Sequence, residues 1–408
     1  MEVFRQPSND RRTLGTLRVL LIVVLFVMAA MNLVALWKVR PLIVTGHSDF
    51  VSYYSAGRML RSGQGDKLFD EAAQFDTQQQ FSAFVRARQQ PFPYIHPPFE
   101  ALLFVPLSYL SYLPAYEVWI ATNLILLAVI LYRLRHDLPF WQQLPRSLCM
   151  VLPLAFFPCI SLFAQGQDDI LFLGLLVLCF LALRRQAPLT AGFWLGLASF
   201  RPQFALPLLA IVVAGGAWYV ASGFVVTCIG LVLLSAGIFG WREVEGYPRH
   251  LFYSEQISNP HGVLLRAMPN LHGLISGLLP NGIANATLVV SSVAVLTLAI
   301  WAWRKSRRSD LELAFALAIV TTLLVSYHAF PHDLTLLIFA LLLQVSSISH
   351  HAERDVGLWL PVLPAFLVLT PPICYLAVRF NCFNLVAVGL LIWLTGGVLV
   401  RAVAPPPS

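Results

Sequence analysis

The chain has 408 residues, of which 58% are hydrophobic and only 12% charged, with a formal net charge of +7. Ordinary soluble domains run about 25% charged and 45–50% apolar, so the composition excludes a soluble globular protein and points to a polytopic membrane protein. The positive charge does not indicate nucleic acid, because the arginines fall in short loops between apolar runs, where membrane topology accounts for them.

A spanning helix needs about 20 apolar residues. The first candidate, 19–37, is followed by Lys38, Val39 and Arg40 and by no small-residue cleavage signal, so it reads as a retained span. A large polar segment, 38–111, comes next. It opens with "HSDFVSYYSAGRMLRSG" and continues to "PFPYIHPP". Its last part, 98–111, would reach only about 21 Å as a helix, short of the roughly 30 Å hydrocarbon core. Pro106 interrupts it as well. This stretch is expected to lie at the outer surface without crossing.

Further apolar runs follow at 115–132, 148–164 and 170–183. The run at 189–216 is broken by Arg201 and Pro202 and reads as two short spans meeting at Arg201. Next come 218–239, a second polar loop at 241–283, and runs at 284–303, 311–330, 334–348, 356–376 and 383–400. The expectation is an all-α bundle of about twelve transmembrane helices in one domain. With the N-terminus in the cytoplasm, Arg133, Arg135, Arg184, Arg185, Arg304, Lys305, Arg307 and Arg308 all fall inside, as the positive-inside rule asks. Both termini are then cytoplasmic. The six cysteines fall mostly in apolar runs and read as small core residues. No phosphate-cradling glycine motif is present, which argues against a nucleotide-sugar donor.

The polar residues that topology does not explain gather on the outer face. Asp49 stands about twelve residues beyond the end of the first span. It is placed either to cap the helix that follows or, partly stripped of water, to accept a proton. Tyr54, Arg58 and Arg61 share one face of that helix, suited to a phosphate or to a solvated basic surface. His96 is fixed by the prolines after it and suits a phosphate or a sugar hydroxyl. The "QGQDD" turn brings Gln167, Asp168 and Asp169, which fit sugar hydroxyls, a metal or a helix cap equally. Arg201, beside Gln203, is a charge between two apolar runs, a functional candidate by default; a lipid phosphate is its natural partner at the outer surface. "SYHAFPHDL" adds His328, His332 and Asp333, at a spacing that is no zinc pattern.

Taken in this order, "SDFVSYYSAGRMLRSGQGDKLFD", "PFPYIHPPFEALLFVPLSYL", "AQGQDDILFLGLL", "LTAGFWLGLASFRPQFALPLL" and "SYHAFPHDLTLL" resemble glycosyltransferase family 87 across roughly residues 15–350. That family contains polyprenyl-phosphate-mannose-dependent mannosyltransferases of the C-type glycosyltransferase fold. The resemblance implies an acidic general base at Asp49 and a cation near the donor phosphate at Arg201. His328 matches a late polar position loosely, because Tyr327 stands where many members have proline.

The expected activity is therefore inverting transfer of a sugar, mannose first, from a polyprenyl monophosphate to a glycolipid or glycan on the outer side of a bacterial inner membrane. Asp49 is the expected base. Arg201, Arg58, His96 and Tyr54 are the expected phosphate ligands, and Gln167, Asp168, Asp169, Gln203, His328 and Asp333 the expected substrate contacts, with no metal or cofactor. A transporter or flippase would keep its polar site near the midplane. A ligase using a polyprenyl diphosphate would carry its large loop late in the chain. A non-catalytic subunit of a glycan-assembly complex is a further alternative.

Overall fold

The computed structural model describes residues 7–142, 145–258, 263–351 and 366–403, and these form helices and turns with no strand among them. In chain order the helices are α1 (Pro7–Val44), α2 (Phe50–Arg61), α3 (Glu71–Gln78), α4 (Ala83–Arg88), α5 (Tyr112–Asp137), α6 (Pro139–Gln142), α7 (Arg146–Ala155), α8 (Phe157–Gln165), α9 (Asp169–Arg184) and α10 (Pro188–Leu197). They continue as α11 (Pro202–Ala214), α12 (Trp218–Phe239), α13 (Trp241–Ser258), α14 (Leu271–Ser276), α15 (Asn281–Ser306), α16 (Leu311–Val325), α17 (Leu336–His351), α18 (Pro371–Arg379) and α19 (Val386–Val403).

Among the described residues, five helical stretches are long and apolar enough to cross a membrane: Val19–Val44, Tyr112–Asp137, Trp218–Phe239, Gly282–Ser306 and Pro331–Ser349. Shorter apolar helices lie at Pro188–Phe200, Pro202–Ala214, Leu311–Val325 and Phe383–Leu399. The first ten residues of the expected span at 356–376 fall outside the described residues, and the remainder passes through a turn into α18. The expected span at 148–164 is a broken helix. Phe156 is extended between α7 and α8, and Pro153 and Pro158 flank the break. Each proline removes a backbone donor and disfavours the helical turn before it.

Inner and outer helices differ in how much they bury. The apolar stretches of α12 and α15 are only 17% buried, whereas Pro331–Ser349 is 89% buried. The outer helices turn Val, Leu and Ile outward, as lipid-facing surfaces do. The centre is made by α8, α9, α16 and α17, where Phe180, Phe315 and Phe339 meet at ring distances of 5.3–5.9 Å. α10 and α12 approach until their backbones touch. A Cβ on Gly192 would lie 2.1 Å from the Val220 carbonyl oxygen, and one on Gly223 would lie 2.2 Å from that of Leu189. Only glycine permits this crossing.

Residues 98–111 form two 3-10 segments, Pro98–Phe104 and Pro106–Tyr109, packed on α2. At about 2 Å per residue, neither is long enough to cross. Around α2 the polar segment builds a second core of aromatic side chains, including Phe50, Tyr54, Phe104 and Tyr112. α13 docks on it: Glu243 accepts from the Phe69 amide at 3.2 Å, and His250 contacts the Tyr94 carbonyl at 3.0 Å while stacking on Phe69. The two polar loops are thus joined.

α5, α9, α11, α15 and α16 each run from one end of the bundle to the other. At one end Arg184 meets the Asp137 carbonyl and Glu312, and Arg304 meets the Ala214 carbonyl. At the other end the "QGQDD" turn, Arg201 and residues 327–335 come together.

Candidate active site

The chain tethers Asp49 to the "QGQDD" turn. Gly166 closes α8 with φ +66, and a Cβ there would lie 2.7 Å from the Phe50 Cβ, so the start of α2 can seat directly on the turn. Ser48 Oγ donates to the Gln165 carbonyl at 3.0 Å and accepts from the Phe50 amide at 3.2 Å. The Asp49 amide donates to Gln165 Oε1 at 3.3 Å. Asp49 holds the cap position of α2, yet its side chain makes no capping bond. Instead Oδ2 accepts from Gln167 Nε2 at 2.7 Å. The capping role considered for Asp168 fails likewise, since it stands before α9 without a side-chain cap bond.

Arg201 organises the rest. It sits where α10 gives way to α11, after a short 3-10 turn, with Pro202 opening the second helix. It is buried within the protein, only 3% exposed. Nε donates to Asp168 Oδ1 at 2.8 Å and Nη2 bonds the same oxygen, while Nη1 donates to Asp333 Oδ1 at 2.7 Å and lies 3.2 Å from Asp169 Oδ1. Nη2 also donates to Gln167 Oε1 at 2.8 Å. Removing one partner from such a buried ionic network costs far more than the network adds over an apolar core. His332 Nδ1 meets Asp169 Oδ2 at 3.0 Å, and Asp333 Oδ2 accepts from the Phe330 amide at 2.6 Å.

A third strand of the network leads to the polar segment. Tyr53 Oη donates to Gln167 Oε1 at 2.7 Å and lies 3.0 Å from His96 Nε2. His96 Nδ1 lies 2.9 Å from Glu100 Oε2. The Glu100 carboxyl in turn sits against that of Asp168. Burial raises the Asp49 carboxyl from its ordinary value, while His332, the Gln167 hydrogen bond, Arg201 and His328 pull it back. Burial lowers His96 to about 4, so its ring is neutral at neutral pH. Burial and the adjacent Asp168 push Glu100 well up.

The structure therefore brings Asp49, His96, Gln167, Asp168, Asp169, Arg201 and Asp333 into one hydrogen-bonded assembly. His328 is half-buried and lies within the electrostatic reach of Asp49, with its ring against Phe330 at 4.5 Å. Gln203 is half-buried at the start of α11 and takes no part in these bonds. Tyr54 and Arg58 point elsewhere. Tyr54 donates to the Leu110 carbonyl inside the aromatic core, and Arg58 bonds Gln80 and lies over Phe81. Successive helical residues point about 100° apart, so Tyr53 reaches the site and Tyr54 does not.

Sequence reasoning missed Tyr53, Glu100 and Gln165 and left His332 without a role. Glu100 had one usable signal: it is a lone acid in the greasy run "PFEALLF", four residues after His96.

A membrane-embedded helical enzyme with a buried acidic site at one end of its bundle is the class this arrangement defines. The chain belongs to glycosyltransferase family 87, whose family model matches residues 94–326, more than half of its length. No curated protein and no solved structure matches it. The matched region includes His96, Glu100, the "QGQDD" turn and Arg201; Asp49 and Asp333 lie outside it. The protein is a glycosyltransferase.

Proposed function

We propose that the protein transfers a sugar, mannose first among candidates, from a polyprenyl monophosphate to a glycolipid or glycan acceptor, with inversion. Asp49 takes the proton from the acceptor hydroxyl. The oxygen then attacks the anomeric carbon from the face opposite the phosphate. The bond from that carbon to the phosphate oxygen breaks, and polyprenyl phosphate leaves with the electron pair. The single observation that carries this is the state of Asp49. One oxygen is fixed by Gln167, the other has no hydrogen bond to any described residue, and the side chain keeps partial exposure. A base must be oriented and reachable at once.

Arg201 is assigned a positioning role, because its donors are already taken by carboxylates and Gln167. It fixes Gln167, which fixes Asp49. His328, half-buried in the field of Asp49, is the proposed contact for donor or acceptor. The site is proposed to face the outer side of a bacterial inner membrane with both termini cytoplasmic; the basic residues at the opposite end support that orientation.

Purified protein given a panel of radiolabelled polyprenyl-phosphate sugars and a membrane lipid extract should label an acceptor from one donor. Labelling from nucleotide sugars alone would overturn the proposed donor class.

A further inference from the structure

We propose that the groove between α1 and α18 seats an acyl chain of the acceptor, and that the acceptor is an anionic glycolipid of the leaflet on the site's side. This names the acceptor of the reaction proposed above and rests on that reading.

The groove has a volume of about 700 Å3. Among the described residues, Val27, Met31, Val34 and Lys38 line one wall and Tyr375 the other. Steps of four, three and four residues put the first wall on a single face of α1. Val27, Met31 and Val34 are all exposed. The floor has its polar atoms paired: Tyr375 Oη donates to Asn32 Oδ1 at 3.1 Å, and Asn32 Nδ2 donates to the Leu154 carbonyl at 2.9 Å. The open walls are apolar, so hydrocarbon fills them.

The depth of the groove fits one leaflet. From Val27 to Lys38 a helix rises about 17 Å, roughly half of a 30 Å hydrocarbon core, which is the depth that acyl chains of one leaflet fill. At the mouth Trp37 is exposed, with Arg40 5.9 Å from its ring centre. Tryptophan and basic side chains of this kind lie at head-group depth. Lys38 is exposed beside them and makes no hydrogen bond or ion pair with a described residue. Its ammonium is a point charge suited to a lipid phosphate.

Direction assigns the groove to the acceptor. In an inverting displacement the attacking oxygen and the departing phosphate take opposite sides of the anomeric carbon, so the acceptor lies on the side of the base. The groove leads to that side. Phe157, at the start of α8, meets Tyr375 at a ring distance of 5.0 Å. Ser161, Ala164 and Gln165 follow on the same face of α8. All three are half-buried, whereas Leu162 and Phe163 are sealed. Gln165 ends the path at Asp49, whose amide it holds at 3.3 Å.

Binding needs no transfer, so its failure is distinct from failure of the transferase assay. Full-length protein in phosphatidylcholine nanodiscs is given phosphatidylglycerol with a diazirine near the end of one acyl chain, irradiated and digested. Adducts should concentrate on residues 27–34 and Tyr375. The same tail on a phosphatidylcholine head should label them about fivefold less, the effect of one lysine at a lipid surface. Lys38→Gln should erase that head-group preference. Ala30→Trp, which fills the groove from an exposed position, should cut labelling to the level of the outer faces of α12 and α15. Polyprenyl monophosphate at equal concentration should leave the labelling unchanged. Adducts spread evenly over α1, α12 and α15 would overturn the groove. A head-group preference that survives Lys38→Gln would overturn the anionic head, and displacement by polyprenyl monophosphate would give the groove to the donor and overturn the acceptor assignment. If a variant does not fold, the wild-type adduct map and head-group comparison decide.

Discussion

The two ends of the bundle treat charge in opposite ways. At one end Arg304 is exposed and spends its donors on the Ala214 carbonyl, and Arg184 reaches the Asp137 carbonyl and the edge of Glu312. At the other end Arg201 is sealed among Asp168, Asp169 and Asp333. Solvated surface charges contribute little to stability, so the first set needs no more than its place in the topology. Buried charges are costly to assemble. Five carboxylates gathered at one end call for a reason beyond stability, and of the five only Asp49 stays partly open.

The sharpest way to break this comparison is Asp49→Asn. Transfer should fall by about 10²–10⁴-fold with normal membrane insertion, read from initial rates on equal amounts of folded protein. Full activity would make the acidic end as inert as the basic one. Arg201→Ala should come next. Stripping one partner from buried carboxylates costs about 3–5 kcal/mol, seen as a lowered unfolding temperature or lost monodisperse protein. Unchanged stability would mean the carboxylates have another cation.

Gln167→Glu keeps the acceptor for Tyr53 and Arg201 but sets a carboxylate against Asp49. A base works ionised, and both the lost hydrogen bond and the new charge disfavour ionisation. The acid limb of the kcat/KM profile, set in this reading by Asp49, which burial raises from its ordinary value, should move to higher pH. A limb that stays put would detach Asp49 from the profile. Tyr53→Phe should cost about 0.5–1.5 kcal/mol of stability by removing the bridge from Gln167 to His96. Arg304→Ala should change unfolding by no more than about 0.5 kcal/mol and leave transfer unaltered; a larger loss would blur the two ends.

Much of the helical plan was legible because lipid-facing helices are apolar all round. The run at 218–239 coincides with α12, and those at 115–132 and 284–303 lie inside α5 and α15. The break at Phe156 was not, because hydropathy does not register the two prolines beside it. α16 ends at Val325, short of the expected 330, since Ser326 turns extended ahead of Pro331. In the site, Arg201 stood out as a charge between two apolar runs, and Asp49 as a carboxylate a short way beyond the first span. The partnership of Asp49 with Gln167 did not, since it joins residues 118 apart. Arg58 and Arg61 drew attention to their own face of α2, whereas the working face carries Tyr53, uncharged and silent in any charge pattern.

The stretches on either side of Arg201, Pro188–Phe200 and Pro202–Ala214, have 13 residues each. At 1.5 Å per residue each reaches about 20 Å, some 10 Å less than a hydrocarbon core. The tip of this hairpin, Arg201, is sealed inside the protein, but its exposed flank, Leu189, Phe193 and Leu206, offers lipid a short apolar face, which favours a locally thin bilayer. For the lipid-phosphate donor proposed above, a thinner bilayer at that flank would shorten the path its head group travels to reach the site.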